Sequence, residues 1–219
     1  MIGLNISDYQ VKRARVLTAA AHLQDTVSFM KGDFGNMEQI DDNSIDGMYA
    51  LESTCHAMDI LKVYKEVYRV LKPGALFVES AWALTEKFQP GNPEHEQIKH
   101  EIILGNGLPD LRSKRFITDK LKEAGLEILE EKDCLDEGDL PWDIYLVGKG
   151  CSMQSFRVSR VGRTLTHYSL SALETVRLVP TGTTKVHSVL LTAADALTAA
   201  RKTEIFIPFF RIVIRKPFE

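Results

Sequence analysis

Short apolar runs and amphipathic runs alternate along the first part of the chain. Four apolar runs are typical of buried strands, at 1–5, 27–30, 45–51 and 75–82. Helical spacing of apolar residues follows the first run to about Leu23, and precedes the last run from Ile60 to Leu71. The order strand, helix, strand, strand, helix, strand is typical of parallel β-α units and predicts an α/β fold.

Capping and stop residues mark the ends of these predicted helices. Ser7 and Asp8 form an N-cap pair for the first helix, and Pro73-Gly74 is a stop signal for the second. The apolar stripes predicted to face the core are Val11, Ala14, Leu17 and Ala21 in the first helix and Leu61, Tyr64, Val67, Tyr68 and Leu71 in the second.

The same signals divide the rest of the chain. A helix is predicted from Asn92-Pro93 to Gly105-Asn-Gly107, and others over 116–124, 152–179 and 186–201; strands are predicted over 126–135 and 206–214, and a loop over 136–142. The predicted inner residues of the last helix are Val189, Leu190, Ala193, Ala194 and Leu197. Because composition changes near Gly148-Lys-Gly150, we expect two domains, 1–150 and 151–219.

Bulk composition narrows the classes of function. The 219 residues are 44% hydrophobic with a net charge of -3, which gives no basic surplus for binding a nucleic-acid backbone. Three scattered cysteines, Cys55, Cys134 and Cys151, are too few for a disulfide framework and fit a reducing compartment. No apolar run reaches the roughly 18 residues that span a bilayer.

A polar cluster directly follows the apolar strand that ends at Leu51. Ligands of parallel sheets bind outside the carboxyl ends of the strands, and here Glu52 and His56 lie in one short segment. A carboxylate beside an imidazole can hold a hydroxyl or relay a proton, so these two residues are the candidate catalytic pair. The alternative is structural, with Glu52 paired to a surface base and His56 capping the next helix.

A second candidate segment, Gly32-Asp33-Phe34, follows the second strand. There a carboxylate can accept the amino group of an adenine while an aromatic ring covers its face; an Asp-containing turn is the alternative. Asn5 ends the first strand, where an acidic residue usually holds ribose hydroxyls in dinucleotide-type folds. For Asn5 the alternative is a turn towards Ser7.

Aromatic and acidic residues occur together in the middle of the chain. Aromatic faces and carboxylates can stabilise a carbocation, although core packing with an acidic rim explains the same pattern. No metal site is predicted, because His95 and His100 are five residues apart and diverge around a helix. The candidate substrate residues are Trp82, Trp142 and Tyr145; Phe88, Glu79, Glu86, Asp139 and Asp143 complete the set.

Over nearly its whole length the chain resembles the sterol C24-methyltransferases. The block around Cys55-His56-Ala57 and the C-terminal tail are specific to that family, whereas Lys-Pro-Gly is shared by many methyltransferases. The resemblance rests on Gly3-Leu-Asn5, Asp8-Tyr-Gln10, Lys31-Gly-Asp-Phe34, Tyr49–Ala57, Val70-Leu-Lys-Pro-Gly74, Asn92-Pro-Glu-His95, Gly138-Asp139, Pro141-Trp142, Thr203-Glu-Ile-Phe206 and Arg215-Lys-Pro217.

The resemblance implies a Rossmann-like class I methyltransferase sheet with a C-terminal helical appendage. It also implies methyl transfer from S-adenosylmethionine to C24 of a Δ24-sterol in sterol biosynthesis. By position, Glu52 and His56 would face the substrate or the methyl group. Glu79 is a candidate replacement for an acid that the family has at position 81, because it lies on the same strand face. The cofactor residues implied in this way are Asn5, Gly32, Asp33 and Phe34.

Several positions depart from the family pattern and leave the substrate preference, and activity itself, open. Met58 replaces a proline, Asn106 replaces an aspartate in a Gly-Asp-Gly turn, and Asp143 replaces a tyrosine. Two other functions therefore stay open: a catalytically inactive lipid-binding or regulatory remnant, and a methyltransferase for another lipid or isoprenoid, against which the specific tail argues.

The family's first strand and its glycine-rich loop have no counterpart before Asn5. That loop lets the backbone approach the amino-acid end of the cofactor. We therefore expect a truncated form, incomplete at its N-terminal side, with a central strand missing between the first strand and the strand that ends at Leu51. We also expect this chain to bind S-adenosylmethionine weakly or not at all.

Location and assembly follow only from the resemblance. The family and its insoluble substrate imply peripheral association with the cytoplasmic face of the endoplasmic-reticulum membrane, without a transmembrane helix in this chain. The sequence does not determine which sterol is used, whether one or two methyl groups are added, or whether the protein is a homo-oligomer.

Overall fold

A computed structural model describes residues 1–135, 141–147 and 153–218 of the protein. It is a mixed α/β structure whose elements follow the predicted order in the first half of the chain. The strands are β1 (Ile2–Asn5), β2 (Ser28–Lys31), β3 (Ile45–Leu51), β4 (Leu71–Leu84), β5 (Glu127–Asp133) and β6 (Phe206–Arg215). The helices are α1 (Asp8–Ala20), α2 (Ile60–Val70), α3 (Pro93–Asn106), α4 (Lys114–Glu123), α5 (Ile144–Val147), α6 (Met153–Val158), α7 (Arg160–Thr175) and α8 (Thr183–Thr203), with a 3-10 turn at Thr54–His56.

The predicted capping residues act as caps. The Ser7 hydroxyl accepts a hydrogen bond from the Gln10 N–H at the start of α1, and Asn92 accepts from the first turn of α3. At the other end of α3, Gly107 has a φ of 63°, the left-handed conformation that favours glycine at a helix C-cap. The ends predicted from these residues are therefore confirmed.

The stop signal of α2 works differently from the prediction. The helix ends at Val70, and Pro73 and Gly74 lie inside β4 instead of before it. Proline disfavours helical backbone in the residue before it, which here is Lys72. The chain has already left the helix one residue earlier, because the buried Leu71 has an extended conformation. Gly74 has a φ of 80°, and the Phe218 ring packs so closely that an added Cβ would lie 2.4 Å from it.

The strands form two sheets instead of one. β1 and β2 pair in parallel, with Asn5 opposite Lys31. The other four strands have the order β3-β4-β6-β5. Within residues 1–135, 141–147 and 153–218, β1 is paired only with β2, and β3 only with β4. The sheet is thus interrupted between the first strand and the strand that ends at Leu51, as the sequence led us to expect.

The last strand reverses direction relative to β4. Gly74 N–H donates to the Lys216 carbonyl, while Thr85 N–H donates to the Ile205 carbonyl. Residue numbers rise along β4 as they fall along β6, so this pair is antiparallel. Parallel β-α units therefore describe the first part of the chain and not its end.

The described chain divides into two compact units. One consists of Met1–Glu79, Ile117–Glu131 and Ile212–Glu219. The other consists of Ser80–Phe116 and Lys132–Arg211. Because β4, β5 and β6 each pass from one unit into the other, the units are not consecutive in sequence. The predicted boundary at residue 150 stays a prediction.

Two predicted helix faces differ from the observed ones. In α1 only Val11 is buried, and Leu17 is 54% exposed. In α8 the buried residues are three alanines, whereas Val189 and Leu190 are exposed. The reason is close packing of α3 on α8, since a Cβ on Gly105 would lie 2.4 Å from the Ala193 Cβ. The three alanines are Ala193, Ala196 and Ala200.

Candidate functional site

Asn5 lies at the carboxyl edge of the β1-β2 pair. Its side-chain oxygen accepts a hydrogen bond from the Ser7 N–H at 2.8 Å, and its side-chain nitrogen donates to the Gln10 Oε1 at 2.6 Å. These bonds turn the chain from β1 into α1, as the structural alternative for Asn5 predicts. Asn5 is half-buried, and because it is the last residue of β1 it also borders the edge where ligands of parallel sheets bind.

Gly32, Asp33 and Phe34 lie just beyond the same edge, because β1 and β2 are parallel and Lys31 is opposite Asn5. The Asp33 Oδ1 accepts a hydrogen bond from the Gly35 N–H at 2.8 Å, which makes the predicted Asp turn. Asp33 is nevertheless exposed, and a carboxylate has further acceptor positions that can bind an amino group. Phe34 is half-buried beside it in sequence.

Glu52 has a strained backbone. Its φ is 49°, in the left-handed region that residues other than glycine rarely adopt. Such conformations cost about 1–3 kcal/mol and cluster at functional sites. The strain here falls at the first residue after β3, where the predicted catalytic cluster begins. The backbone strain therefore supports the hypothesis that Glu52 belongs to a catalytic site, which the side-chain chemistry also predicts.

The 3-10 turn presents the predicted catalytic pair to solvent. Glu52 and His56 are both exposed, whereas Thr54 and Cys55 between them are buried. The Cys55 thiol donates to the Glu52 carbonyl at 3.5 Å, and Ala57 N–H donates to the Thr54 carbonyl. The turn is thus fixed by its buried residues and leaves the carboxylate and the imidazole available to a ligand.

Glu79 lies in the core behind this turn. Its side chain is completely buried on β4, and its oxygens accept hydrogen bonds from the Thr54 hydroxyl and, at 3.0 and 3.1 Å, from the Tyr64 hydroxyl. Burial raises the pKa of Glu79 to about 7, although both hydroxyls act in the opposite direction. Since no part of Glu79 reaches solvent, this geometry does not support its predicted catalytic role.

Thr54 and Tyr64 were not predicted to matter. They connect the buried carboxyl to the turn and to α2 respectively. Alternate residues of β4 are buried, namely Phe77, Glu79 and Ala81. A carboxyl group at such a position needs hydroxyl or amide donors, and that requirement is the sequence signal that points to them.

Two of the three candidate substrate residues come together. Trp82 and Trp142 pack edge-on against Phe206, with ring centroids 5.3 and 6.0 Å away. Their indole N–H groups are buried and have no hydrogen-bond partner in the part of the chain that the structure describes. Tyr145 on α5 is 62% exposed.

The neighbouring carboxylates face cations of the protein. Glu86 lies 3.0 Å from the Lys114 ammonium, and Asp143 lies 4.0 Å from the Arg201 guanidinium. Asp139 lies outside the described residues. Among the described residues there is no group of three or more His, Cys, Asp and Glu side chains that could hold a metal ion. Nor does any described helix have the length and apolarity needed to cross a membrane.

Two family models match this chain. One, described as a methyltransferase domain, matches residues 1–78, and the other, described as the C-terminal part of sterol methyltransferases, matches residues 153–218. Cycloartenol-C-24-methyltransferase 1 of Oryza sativa is 42% identical over 98% of this chain. Sterol 24-C-methyltransferase of Saccharomyces cerevisiae is 38% identical over 99% of it. The chain spans 62% and 58% of the length of these two relatives.

Solved structures show the same fold. Geranyl diphosphate C-methyltransferase from Streptomyces coelicolor, in complex with Mg²⁺, geranyl diphosphate and S-adenosyl-L-homocysteine, superposes with a TM-score of 0.60. It is 13% identical, and the match covers 98% of this chain and 64% of that one. A geranyl diphosphate methyltransferase in complex with S-adenosylmethionine gives a TM-score of 0.66 at 12% identity, over 98% and 68% of the two chains. At these identities the likeness concerns the fold alone.

Proposed function

We propose that the chain belongs to the sterol methyltransferase family and carries part of the site of an enzyme that methylates C24 of a Δ24-sterol with S-adenosylmethionine. The observation that carries this proposal is the match along 98% of the chain to a C24-methyltransferase at 42% identity. That match includes both the predicted catalytic cluster and the tail, so it concerns more than the shared methyltransferase fold.

We propose that the carboxyl edge of β1 and β2 holds the adenosine end of the cofactor. Asp33 offers an exposed carboxylate for the adenine amino group, and Phe34 offers a half-buried aromatic face. Asn5 and Gly32 border the ribose side. These residues fit the group, because its adenine and ribose need an acceptor, an apolar face and a polar amide. When bound, S-adenosylmethionine supplies an electrophilic methyl group.

The 3-10 turn after β3 is the proposed substrate side. Glu52 and His56 are exposed there, and either can hold a hydroxyl or accept a proton. Glu79 acts on them indirectly, because its bond to Thr54 fixes the turn that carries both. Trp82, Trp142 and Tyr145 are proposed to contact the apolar sterol, whose rings match aromatic faces.

We further propose that tight cofactor binding requires a strand that pairs with β1 and β3. Both have an unpaired side within the described residues, and unpaired strand edges readily accept another strand. A second candidate function follows from the same observation. If no such strand is supplied, the chain binds lipid without transferring a methyl group and acts as an inactive or regulatory form.

The membrane location and the assembly are proposals as well. An insoluble sterol substrate favours peripheral association with the membrane that contains it, and we propose the cytoplasmic face of the endoplasmic reticulum. A homo-oligomer is compatible with this arrangement.

A methyl-transfer assay tests the proposed function. The chain is assayed alone, and also joined to the part of the Oryza sativa enzyme that the match does not cover, with methyl-labelled S-adenosylmethionine and cycloartenol. We expect label in the sterol from the joined chain. Within it, Asp33→Asn, Glu52→Gln and His56→Asn should each lower kcat/KM by about tenfold or more.

The control is Asp25→Asn, which changes an exposed carboxylate in the turn before β2 and should leave kcat/KM unchanged. A joined chain that binds the sterol without transferring label would favour the inactive lipid-binding form. Unchanged kcat/KM in Glu52→Gln and His56→Asn would contradict the site.

A further inference from the structure

The outer face of α7 is apolar. Five of its residues follow the helical spacing of 4, 3, 4 and 4, so they form one stripe along the helix and its C-cap. All five are exposed, and Tyr168 is 69% exposed. We call them the α7 stripe: Val161, Leu165, Tyr168, Ala172 and Val176.

Apart from Arg160 at its first position, the charged residues of α7 lie away from the stripe. The Arg163 guanidinium pairs with Asp195 of α8 and also contacts the Leu146 carbonyl. The Glu174 carboxylate accepts the N–H groups of Gly182 and Thr184, and these bonds lower the pKa of Glu174. A helix on a water-facing surface normally has the opposite arrangement, with charges outside. Exposed apolar stretches of this kind mark interaction surfaces.

The segment that carries the stripe has a surplus of positive charge. Residues 153–203 carry seven arginines and lysines but only two carboxylates, although the whole chain has a net charge of -3. Both carboxylates, Glu174 and Asp195, already bind protein groups. The exposed cations Arg157 and Arg160 precede the stripe, and Arg177 follows it directly.

We propose that the α7 stripe docks the protein on an anionic lipid bilayer surface. An apolar helix face flanked by arginines fits such a surface, because the apolar side chains enter the acyl boundary while the guanidinium groups stay at the head groups. A second copy of the chain is the poorer occupant, since pairing two stripes would bring cationic segments together. The inference deepens the proposed peripheral location and does not depend on methyl transfer.

Vesicle co-sedimentation tests the proposal without cofactor or sterol, so its failure leaves the proposed methyl transfer untouched. The 219-residue chain should bind phosphatidylcholine vesicles that contain phosphatidylserine more tightly than phosphatidylcholine alone. Replacing Leu165 and Tyr168 together by Glu should weaken binding to both by about tenfold or more. The control is Leu104→Glu on α3, because the exposure of Leu104 lies between those of Leu165 and Tyr168 and Leu104 is outside the stripe.

A charge variant separates the two contributions. Changing Arg157, Arg160 and Arg177 to Gln should weaken binding to the anionic vesicles by about tenfold or more and leave binding to phosphatidylcholine nearly unchanged. Circular dichroism and thermal melting of each variant verify that the fold is kept. The proposal is overturned if the chain binds neither vesicle, or if the double Glu variant binds like the unchanged protein. It is also overturned if that variant only converts a dimer to a monomer in sedimentation.

Discussion

Glu79 is a carboxyl group in the core whose described partners are hydroxyls. Thr54 and Tyr64 donate to it, and burial raises its pKa to about 7 from an ordinary 4.5. In the folded protein the protonated form of Glu79 is therefore favoured up to about pH 7. The stability that this group contributes is fully present below about pH 4.5 and is lost as the pH rises towards 7. The loss amounts to roughly 3 kcal/mol.

Replacing Glu79 by Gln should abolish that pH dependence, because the amide keeps an acceptor oxygen and cannot ionise. Compared with the unchanged protein, the variant should have a similar free energy of unfolding near pH 5 and a higher one, by about 2–3 kcal/mol, near pH 8. Urea denaturation at both pH values measures the difference. Glu94→Gln, at an exposed position on α3, is the control. A difference that does not vary with pH would contradict the assigned environment.

The backbone of Glu52 gives a second prediction for a single residue. Glycine adopts a φ of 49° without strain, so Glu52→Gly should raise the free energy of unfolding by up to about 1 kcal/mol. Glu52→Gln keeps the strain and should leave stability unchanged. If both lower sterol methylation in the joined enzyme, function needs the Glu52 carboxylate, and the strained residue is kept for that carboxylate. Destabilisation by Gly relative to Gln, measured by urea denaturation, would argue against strain at this site.

At the scale of elements, the contact between α3 and α8 depends on small residues. Gly105 faces Ala193 so closely that an added Cβ would meet its Cβ at 2.4 Å and its Cα at 2.8 Å. Because a backbone atom cannot move aside alone, Gly105→Val should separate the helices. Overpacking of this kind costs about 1–3 kcal/mol.

Thermal or urea denaturation measures that cost. His100→Val on the same helix is the matched control, since His100 is exposed and a valine there changes only helix propensity. A loss of stability in Gly105→Val no larger than in the control would mean that the two helices are not packed closely.

At the scale of the whole molecule, the two sheets limit what this chain binds. The proposed adenosine contacts lie at the β1-β2 edge, and β1 is unpaired on its other side within the described residues. We therefore expect calorimetry of the 219-residue chain with S-adenosylmethionine to give a Kd weaker than about 1 mM. The joined chain should bind more tightly, and Asp33→Asn should reverse part of that gain. Tight binding by the chain alone would contradict the need for a further strand.

Local sequence signals predicted most elements, because capping and periodicity act over a few residues. Ser7, Asn92 and Gly107 marked real helix ends, and the apolar runs before Asn5 and Leu51 are strands. Which helix faces are buried could not be read in the same way. Leu17 and Leu190 fit an inward stripe by spacing, yet both are exposed, since burial depends on what packs against the helix.

The sequence by itself determined the α/β class, the family resemblance and the positions of Glu52 and His56 directly after a strand. Only the tertiary structure decided that Glu79 is held by Thr54 and Tyr64, and that Trp82 and Trp142 meet at Phe206. The physical reason is the distance along the sequence over which each interaction acts. Caps, turns and periodicity depend on neighbouring residues, whereas burial, pKa and strand partners depend on residues brought together from distant parts of the chain.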